Sequence, residues 1–288
     1  MWSIILHGGA KEIEAEEEEA HRQGCLKALA AGRLILEAGG SAIDAVEAAV
    51  RELESDPTFN AGYGSALNAE GQVEMCSAVM EGQDFNVGAV SVLKGVRHPI
   101  SVARAMLYEE PILISGPGAR CFAADQGLEL CDPADLIPPQ EQQAARTGTH
   151  DTVGCIALDT SGRLAVGTST GGLDGSPAGR VGDSPQPGCG YYADDQIGAV
   201  AFSGDGEHIA RKMLAARVMH ALPGGNPEIV LQEALQQVAE IGGEAGGIVL
   251  LPDGRFGWDH NSRDFAVALQ SSADAEPRVH TRKQEGIP

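Results

Sequence analysis

A threonine that follows a polar, proline-rich stretch and opens an apolar strand becomes a nucleophile if the chain breaks in front of it. Thr152 stands in that setting. Pro133, Pro138-Pro139 and Gln140-Glu141-Gln142-Gln143 lead into His150-Asp151-Thr152-Val153-Gly154. Within a chain the threonine hydroxyl is a weak nucleophile with no base of its own. At a free N-terminus it gains an α-amine of pKa about 7.7–8.0, whose neutral fraction accepts the hydroxyl proton. Taken alone, Asp-Thr-Val-Gly reads as a threonine that merely starts a strand, so the surrounding motifs must decide.

A rival nucleophile is Ser169, because Gly167-Thr168-Ser169-Thr170-Gly171 fits the G-x-S-x-G pattern and follows a strand. That elbow must run straight into a helix. Gly171-Gly172-Leu173-Asp174-Gly175-Ser176-Pro177 cannot start one, so the match is accidental. Arg180 and Asp183 lie three residues apart in a loop rich in glycine and proline. A guanidinium grips a carboxylate through two parallel hydrogen bonds, and a carboxylate takes an ammonium, so the pair could hold the backbone groups of an amino acid. The same spacing also fits a surface ion pair worth at most about 1 kcal/mol. Ser203-Gly204-Asp205-Gly206-Glu207 lies between a strand and a helix, where backbone N–H groups point outward and can take an anion. It is not a dinucleotide fingerprint, since Ile209 stands where the third glycine belongs.

These residues need elements to carry them. Residues 2–6 read as a buried strand ending at His7-Gly8-Gly9-Ala10. Helices are expected from about Glu14 to Glu37 and from a Ser41 N-cap to about Ser55, closed by Pro57. A glycine loop, Asn60-Ala61-Gly62-Tyr63-Gly64, precedes strand-like segments at Val73–Met80 and Gly88–Val96. Helix, strand and helix follow near Pro99–Tyr108, Ile112–Ser115 and Gly118–Gln126. Residues from about 132 to 151 read as a linker. Val153–Leu158 and Leu164–Thr168 flank the turn Asp159-Thr160-Ser161-Gly162, a hairpin signature that recurs at Gly247–Leu251 and Phe256–His260. A strand at Ala199–Phe202, a helix from Glu207 to about His220 and another over Pro227–Ile241 complete the pattern. Strand pairs and helix pairs in each half suggest two stacked sheets covered by helices, an α/β layered sandwich in one domain of 288 residues.

Twenty basic against 41 acidic side chains give a formal net charge of −21, which argues against nucleic acid and anionic membranes as partners. The run Glu14 to Glu19 fits the exposed first turns of a helix, where the dipole favours acids. No apolar run reaches the roughly 18 residues of a membrane span, and the N-terminus lacks a secretory pattern, so a cytoplasmic location is expected. The six cysteines show neither a Cys-x-x-Cys pair nor zinc spacing, which fits buried thiols in a reducing compartment.

In order and separation, these motifs resemble the plant-type L-asparaginase/isoaspartyl peptidase family of N-terminal-nucleophile hydrolases. The resemblance rests on Ile5-Leu6-His7-Gly8-Gly9-Ala10, Phe59-Asn60-Ala61-Gly62-Tyr63-Gly64-Ser65, Asp151-Thr152-Val153-Gly154 and Thr168-Ser169-Thr170-Gly171-Gly172. Gly179-Arg180-Val181-Gly182-Asp183-Ser184-Pro185, Gly204-x-Gly206-Glu207, Gly242-Gly243 through Gly246-Gly247 and Asn261 extend it over nearly the whole chain. It implies a four-layer αββα sandwich and self-cleavage between Asp151 and Thr152 into an α subunit of 1–151 and a β subunit of 152–288. It implies that Thr152 attacks the side-chain amide of asparagine or of a β-aspartyl dipeptide, forming an acyl-enzyme that water hydrolyses. By the same resemblance Thr170 hydrogen-bonds near the nucleophile, Arg180 takes the substrate carboxylate and Asp183 its ammonium. The Ser203 hydroxyl and Gly204 N–H form the oxyanion hole beside Gly206, and Asn60 supports the nucleophile. No cofactor is implied for catalysis. A structural sodium ion is implied on the backbone carbonyls of Leu53, Glu54, Asp56, Phe59, Ala61 and Tyr63, as is a dimer of αβ units.

Four features depart from the family pattern. Ser203 replaces a threonine, Lys11 stands where a glycine usually follows the first motif, and Glu74-Met75-Cys76-Ser77 replaces Glu-Leu-Asp-Ala, which puts the packing of that strand in doubt. The linker before Thr152 is short, which would slow self-cleavage or leave less of a tail. Two relatives offer other readings. Glycosylasparaginases share His-Asp-Thr and a run like Tyr192-Ala193-Asp194-Asp195. The protein-cleaving threonine aspartase resembles Ser203-Gly204-x-Gly206-Glu207-His208 but has no counterpart of Asp183. A third reading, from another class, is an uncleaved protein that binds aspartate-like ligands without catalysis.

Overall fold

In the computed structural model, which describes residues 1–138 and 151–283, the hairpin that carries Thr152 sits in the middle of a large sheet. Strand β1 (Ser3–Lys11) pairs with β5 (Val153–Leu158), and β5 pairs with β6 (Leu164–Thr170) across the Asp159–Gly162 turn. The first half contributes helices α1 (Glu18–Glu37) and α2 (Ala42–Ser55), strands β2 (Met75–Glu81) and β3 (Val87–Leu93), helix α3 (Pro99–Met106), strand β4 (Leu113–Ser115) and helix α4 (Gly116–Asp125). After the central hairpin come β7 (Tyr191–Asp194), β8 (Gly198–Gly204), α5 (Gly206–Lys212), α6 (Leu214–Ala221) and α7 (Pro227–Ala239). Strands β9 (Ala245–Leu250), β10 (Phe256–His260), β11 (Asp264–Ser271) and β12 (Arg278–His280) end the described chain.

The large sheet has the order β12-β11-β1-β5-β6-β2-β3-β4 and the small one β10-β9-β8-β7. Three apolar layers hold them. Ile4, Leu6, Val46, Val50, Cys155 and Ala157 fill the layer between the large sheet and α1–α3. Ile5, Met80, Ile156, Val166, Tyr191, Ile248 and Phe265 fill the space between the sheets. Val200, Phe202, Val218, Leu231 and Val249 lie between the small sheet and α5–α7. The result is the expected αββα sandwich. Because both faces of the central strands are covered, β5 and β6 are buried throughout, which is why they read as continuous apolar runs rather than alternating ones.

Helix α2 forms as its sequence dictates. Ile43, Val46, Val50 and Leu53 recur on one face, and the Ser41 Oγ accepts the Asp44 N–H at 3.3 Å. Several expectations need correction. Strand β1 does not stop at His7. It continues to Lys11 through an irregularity between His7 and Ala10, where Gly9 has φ +116°; such a bulge redirects a strand without ending it. The expected helix over 207–220 is broken at Met213, whose φ of +49° is left-handed. The break has a tertiary cause: Ala215 and Ala216 donate their N–H groups to the carbonyls of Cys189 and Gly188 rather than back along a continuous helix.

Helix α1 begins at Glu18 rather than Glu14, and β7, β11 and β12 were not anticipated. The halves do not each build a sheet. The large sheet interleaves β1–β4 with β5, β6, β11 and β12, whereas the small sheet is wholly from the second half. Of the expected linker, Pro133–Leu136 forms a short 3-10 turn, and Leu136 packs on Val73 and Met75. Residues 139–150 lie outside the described residues. Of the six free cysteines only Cys25, Cys76 and Cys155 are buried. The unusual Met75-Cys76-Ser77 segment packs without disruption; all three are buried, and the Ser77 hydroxyl donates to the Thr168 carbonyl at 2.7 Å.

Candidate active site

Strand register brings the first pair of groups together. Val153 pairs with Ser169, so the same register carried one pair further sets Thr152 opposite Thr170. Here the chain is continuous across Asp151–Thr152. The Thr170 hydroxyl donates to the Asp151 carbonyl oxygen at 2.8 Å. The Asn60 side-chain amide donates to the same oxygen at 3.2 Å and to the Gly172 carbonyl at 2.7 Å. That carbonyl therefore sits between two donors, immediately before a threonine hydroxyl. Ser169 points to the opposite face and donates to the buried Glu54 carboxylate at 2.7 Å, which removes it as a rival nucleophile.

Thr152 is itself buried, with its Oγ1 2.8 Å from the Ser184 Oγ. Its N–H donates to the Ser203 Oγ at 3.1 Å, and the Ala10 N–H donates to the same oxygen at 3.0 Å. A hydroxyl offers two acceptor lone pairs and one donor. Both acceptor positions of Ser203 are taken, so donation is the function its hydroxyl keeps. His7 lies directly beneath: a Cβ on Gly154 would stand 2.3 Å from its Nε2. Burial drives the His7 pKa down to about 3, so the ring is neutral.

Arg180 and Asp183 do not pair with one another. The Arg180 guanidinium forks onto Glu207, with Nε to Oε1 at 2.8 Å and Nη2 to Oε2 at 2.7 Å. Asp183 is buried, and its Oδ2 has no hydrogen-bond partner. Burial raises its pKa from 3.8 to about 7, opposed by its own backbone N–H and the Arg180 charge. Gly206 permits this arrangement, because a Cβ there would lie 2.8 Å from Asp183 Oδ1 and 3.0 Å from Arg180 Nη2. An unsatisfied carboxylate beside a guanidinium fits an ammonium and a carboxylate on one small ligand.

Thr152, Thr170, Arg180, Asp183, Gly204 and Gly206 line one cleft, and Asp151 forms a further wall. With the chain uncut, that cleft holds only about 10 Å³, about the size of one water. Ser184 and Glu207 also belong to this site although the sequence analysis gives them no role. Ser184 and Glu207 stand inside quoted motifs, so adjacency to Asp183 and Gly206 was the available signal. Lys11 was noted only as a departure; its Nζ lies 2.9 Å from Asp151 Oδ2. The Tyr192-Ala193-Asp194-Asp195 run lies elsewhere: Asp195 accepts the Leu164 N–H at 2.8 Å and pairs with Arg163 at 3.1 Å, a structural role at the hairpin.

Leu53 and Glu54 lie in the last turn of α2, and Asp56, Phe59, Ala61 and Tyr63 in the loop that follows it. The Tyr63 N–H donates to the Glu54 carbonyl at 2.7 Å, Asp56 N–H to Leu53 at 3.3 Å and Phe59 N–H to Asp56 at 3.2 Å. Each of those carbonyl oxygens keeps a second lone pair, and neutral oxygens suit a hard cation. Among the described residues no group of three His, Cys, Asp or Glu side chains could hold a metal ion, and no helix is long and apolar enough to cross a membrane.

The profile of a family described as Asparaginase matches residues 1–147 and 137–279. The isoaspartyl peptidase/L-asparaginase of Rattus norvegicus is 40% identical over 304 residues, covering 99% of this chain and 91% of that protein. That of Mus musculus is 40% identical over 264 residues, covering 86% and 81%. The Homo sapiens protein of the same name is 37% identical over 284 residues, covering 92% of each.

Proposed function

Since this chain belongs to the asparaginase family, we propose that it cuts itself before Thr152 and then hydrolyses the side-chain amide of L-asparagine and the isopeptide bond of β-aspartyl dipeptides. The observation that carries this reading is the Asp151 carbonyl, held by Thr170 and Asn60 next to the Thr152 hydroxyl. In the first step Thr152 Oγ1 attacks the Asp151 carbonyl carbon. Charge developing on the oxygen falls on the Thr170 and Asn60 donors, the carbon–nitrogen bond breaks, and the hydroxyl proton ends on the departing nitrogen. Water then hydrolyses the ester, leaving an Asp151 carboxylate and a Thr152 with both hydroxyl and amine free.

The second reaction needs Asp151 to leave, because the uncut cleft has room for a single water and none for an amino acid. Once it has left, Arg180 takes the substrate α-carboxylate and Asp183 its α-ammonium. Glu207 holds the guanidinium plane from the other side. The Thr152 amine accepts the proton as Oγ1 attacks the side-chain carbonyl, and the Ser203 hydroxyl with the Gly204 N–H receives the oxyanion. Ammonia or the amino acid departs, and water releases aspartate. The carbonyls of Leu53, Glu54, Asp56, Phe59, Ala61 and Tyr63 would hold a structural sodium ion that steadies the loop leading to Asn60. Two αβ units pairing as a dimer complete the reading. The six unpaired cysteines favour a reducing compartment, the cytoplasm.

Denaturing electrophoresis of the purified protein, beside assays of ammonia from asparagine and leucine from β-aspartyl-leucine, tests the proposal. Two bands divided before Thr152 with both products formed are expected. One persistent full-length band with neither product would leave a ligand-binding protein instead. Removing one donor from the scissile carbonyl should also be visible. Asn60→Ala is expected to slow band conversion by roughly 10²-fold, the usual effect of deleting an oxyanion donor. Conversion at the normal rate would mean that Asn60 does not serve the cut.

Arg180→Lys keeps the charge but cannot fork onto Glu207 and a substrate carboxylate together, so KM for asparagine should rise by roughly tenfold or more. An unchanged KM would place that carboxylate elsewhere.

A further inference from the structure

Asp151 is the residue whose carbonyl is attacked, and its side chain is fully buried. A carboxylate there is attached to the same α-carbon as the carbonyl that must accept negative charge. Two negative charges held so close in a dry site oppose each other strongly. Lys11 answers this charge directly. Its Nζ is 2.9 Å from Asp151 Oδ2, and its own side chain is only 8% exposed. It reaches there because β1 continues past the glycines instead of ending at them, and the left-handed Gly9 leaves room. A Cβ on Gly9 would lie 2.7 Å from Asp151 Oδ1.

We propose that Lys11 is a positioning residue for self-cleavage, neutralising and orienting the Asp151 side chain while Thr152 attacks the Asp151 carbonyl. The inference rests on the self-cleavage proposed above. The bonds made and broken are unchanged: Oγ1 to carbon forms, carbon to nitrogen breaks, and the hydroxyl proton finishes on the nitrogen. Lys11 gives up no proton. It cancels the carboxylate charge that would otherwise raise the energy of the oxyanion between Thr170 and Asn60, and it holds the rotamer that keeps the carbonyl between them. Its role ends with the cut, so turnover of asparagine by processed protein does not need it.

The test follows conversion of the full-length band to two bands over time in freshly purified full chain, with thermal melting as a check on folding. Lys11→Met should slow conversion by about tenfold or more, and Lys11→Arg should stay near the wild-type rate. Lys11→Met combined with Asp151→Asn removes both charges and should recover most of the lost rate. A purely structural contribution from Lys11 would not be rescued in this way. If the wild type converts while Lys11→Met converts equally fast, or while the double variant stays as slow as the single, the inference is wrong. Should Lys11→Met alone fail to fold, the double variant decides by itself, since conversion at less than a tenth of the wild-type rate overturns the proposal. A wild type that never converts refutes the self-cleavage reading instead. Among processed molecules, asparagine turnover per free N-terminal Thr152 should match the wild type in Lys11→Met.

Discussion

Thr152→Ala is expected to leave a single full-length band and to reduce asparagine hydrolysis by about 10⁴-fold or more, because one atom serves both reactions. Oγ1 belongs to the residue directly after the Asp151 carbonyl, and in the proposed reaction it is also the group that attacks substrate after the cut. The neighbouring hydroxyls cannot replace it. Thr170 donates to the scissile oxygen, Ser203 accepts two backbone N–H groups, and Ser169 faces Glu54 behind the strand. The fold should survive the change, since Thr152 precedes β5 and the removed atoms face Ser184. The same variant shows whether Asp151 blocks the cleft. Aspartate titrated into the uncut protein should bind weakly or not at all, whereas the processed wild type binds it. Turnover by Thr152→Ala at even a hundredth of the normal rate would end the nucleophile assignment.

The second large effect belongs to Asp183, where binding and stability should move in opposite directions. Replacing it with asparagine removes the carboxylate proposed above to take the substrate ammonium. Truncating one side of a buried charge pair of this kind commonly costs 2–5 kcal/mol, so kcat/KM should fall by roughly 10³-fold. Stability should rise at neutral pH. Burial lifts the Asp183 pKa from 3.8 to about 7, so the folded chain holds the proton more tightly than the unfolded chain between those values. Stability is then lost as pH climbs from about 4 to about 7 and stays lost above.

Asparagine carries no such penalty. In a Thr152→Ala background, which keeps every molecule uncut, Asp183→Asn should melt higher than its parent at pH 8, by a few kcal/mol at most. The difference should shrink towards pH 4. For the processed enzyme, kcat/KM should increase with pH as the Asp183 carboxyl and the Thr152 α-amine lose their protons. An Asp183→Asn variant that melts lower at pH 8 would contradict the buried, unpaired state of this carboxylate.

How much of this was legible beforehand varies from one part of the site to the next. Thr152 was legible from the polar stretch before it and the apolar strand after it, whereas Thr170 was supplied by the resemblance to a family. The register that sets the two opposite each other came from the folded hairpin across the Asp159-Thr160-Ser161-Gly162 turn. Helix α2 was legible from its Ser41 cap and apolar spacing. Asn60 emerged from a glycine loop that no local rule points towards Thr152; the resemblance to a family supplied it. Of the two readings that spacing left open for Arg180 and Asp183, the ion pair does not form, because the guanidinium reaches across to Glu207 at the start of α5.

Local rules act over a few residues, and they determined where strands, turns and caps fall, which threonine follows the polar stretch, and which loops carry charge. Only the tertiary structure decided what meets at the cleft. Strand β1 pairs with β5 across about 150 residues of sequence, an ordering set by sheet assembly rather than by propensity. That assembly carries Lys11 to Asp151 and Ala10 to Ser203. It also buries the Asp183 carboxyl deeply enough to change its protonation. Burial, charge pairing and desolvation are properties of the packed whole, so no reading of spacing could have given them.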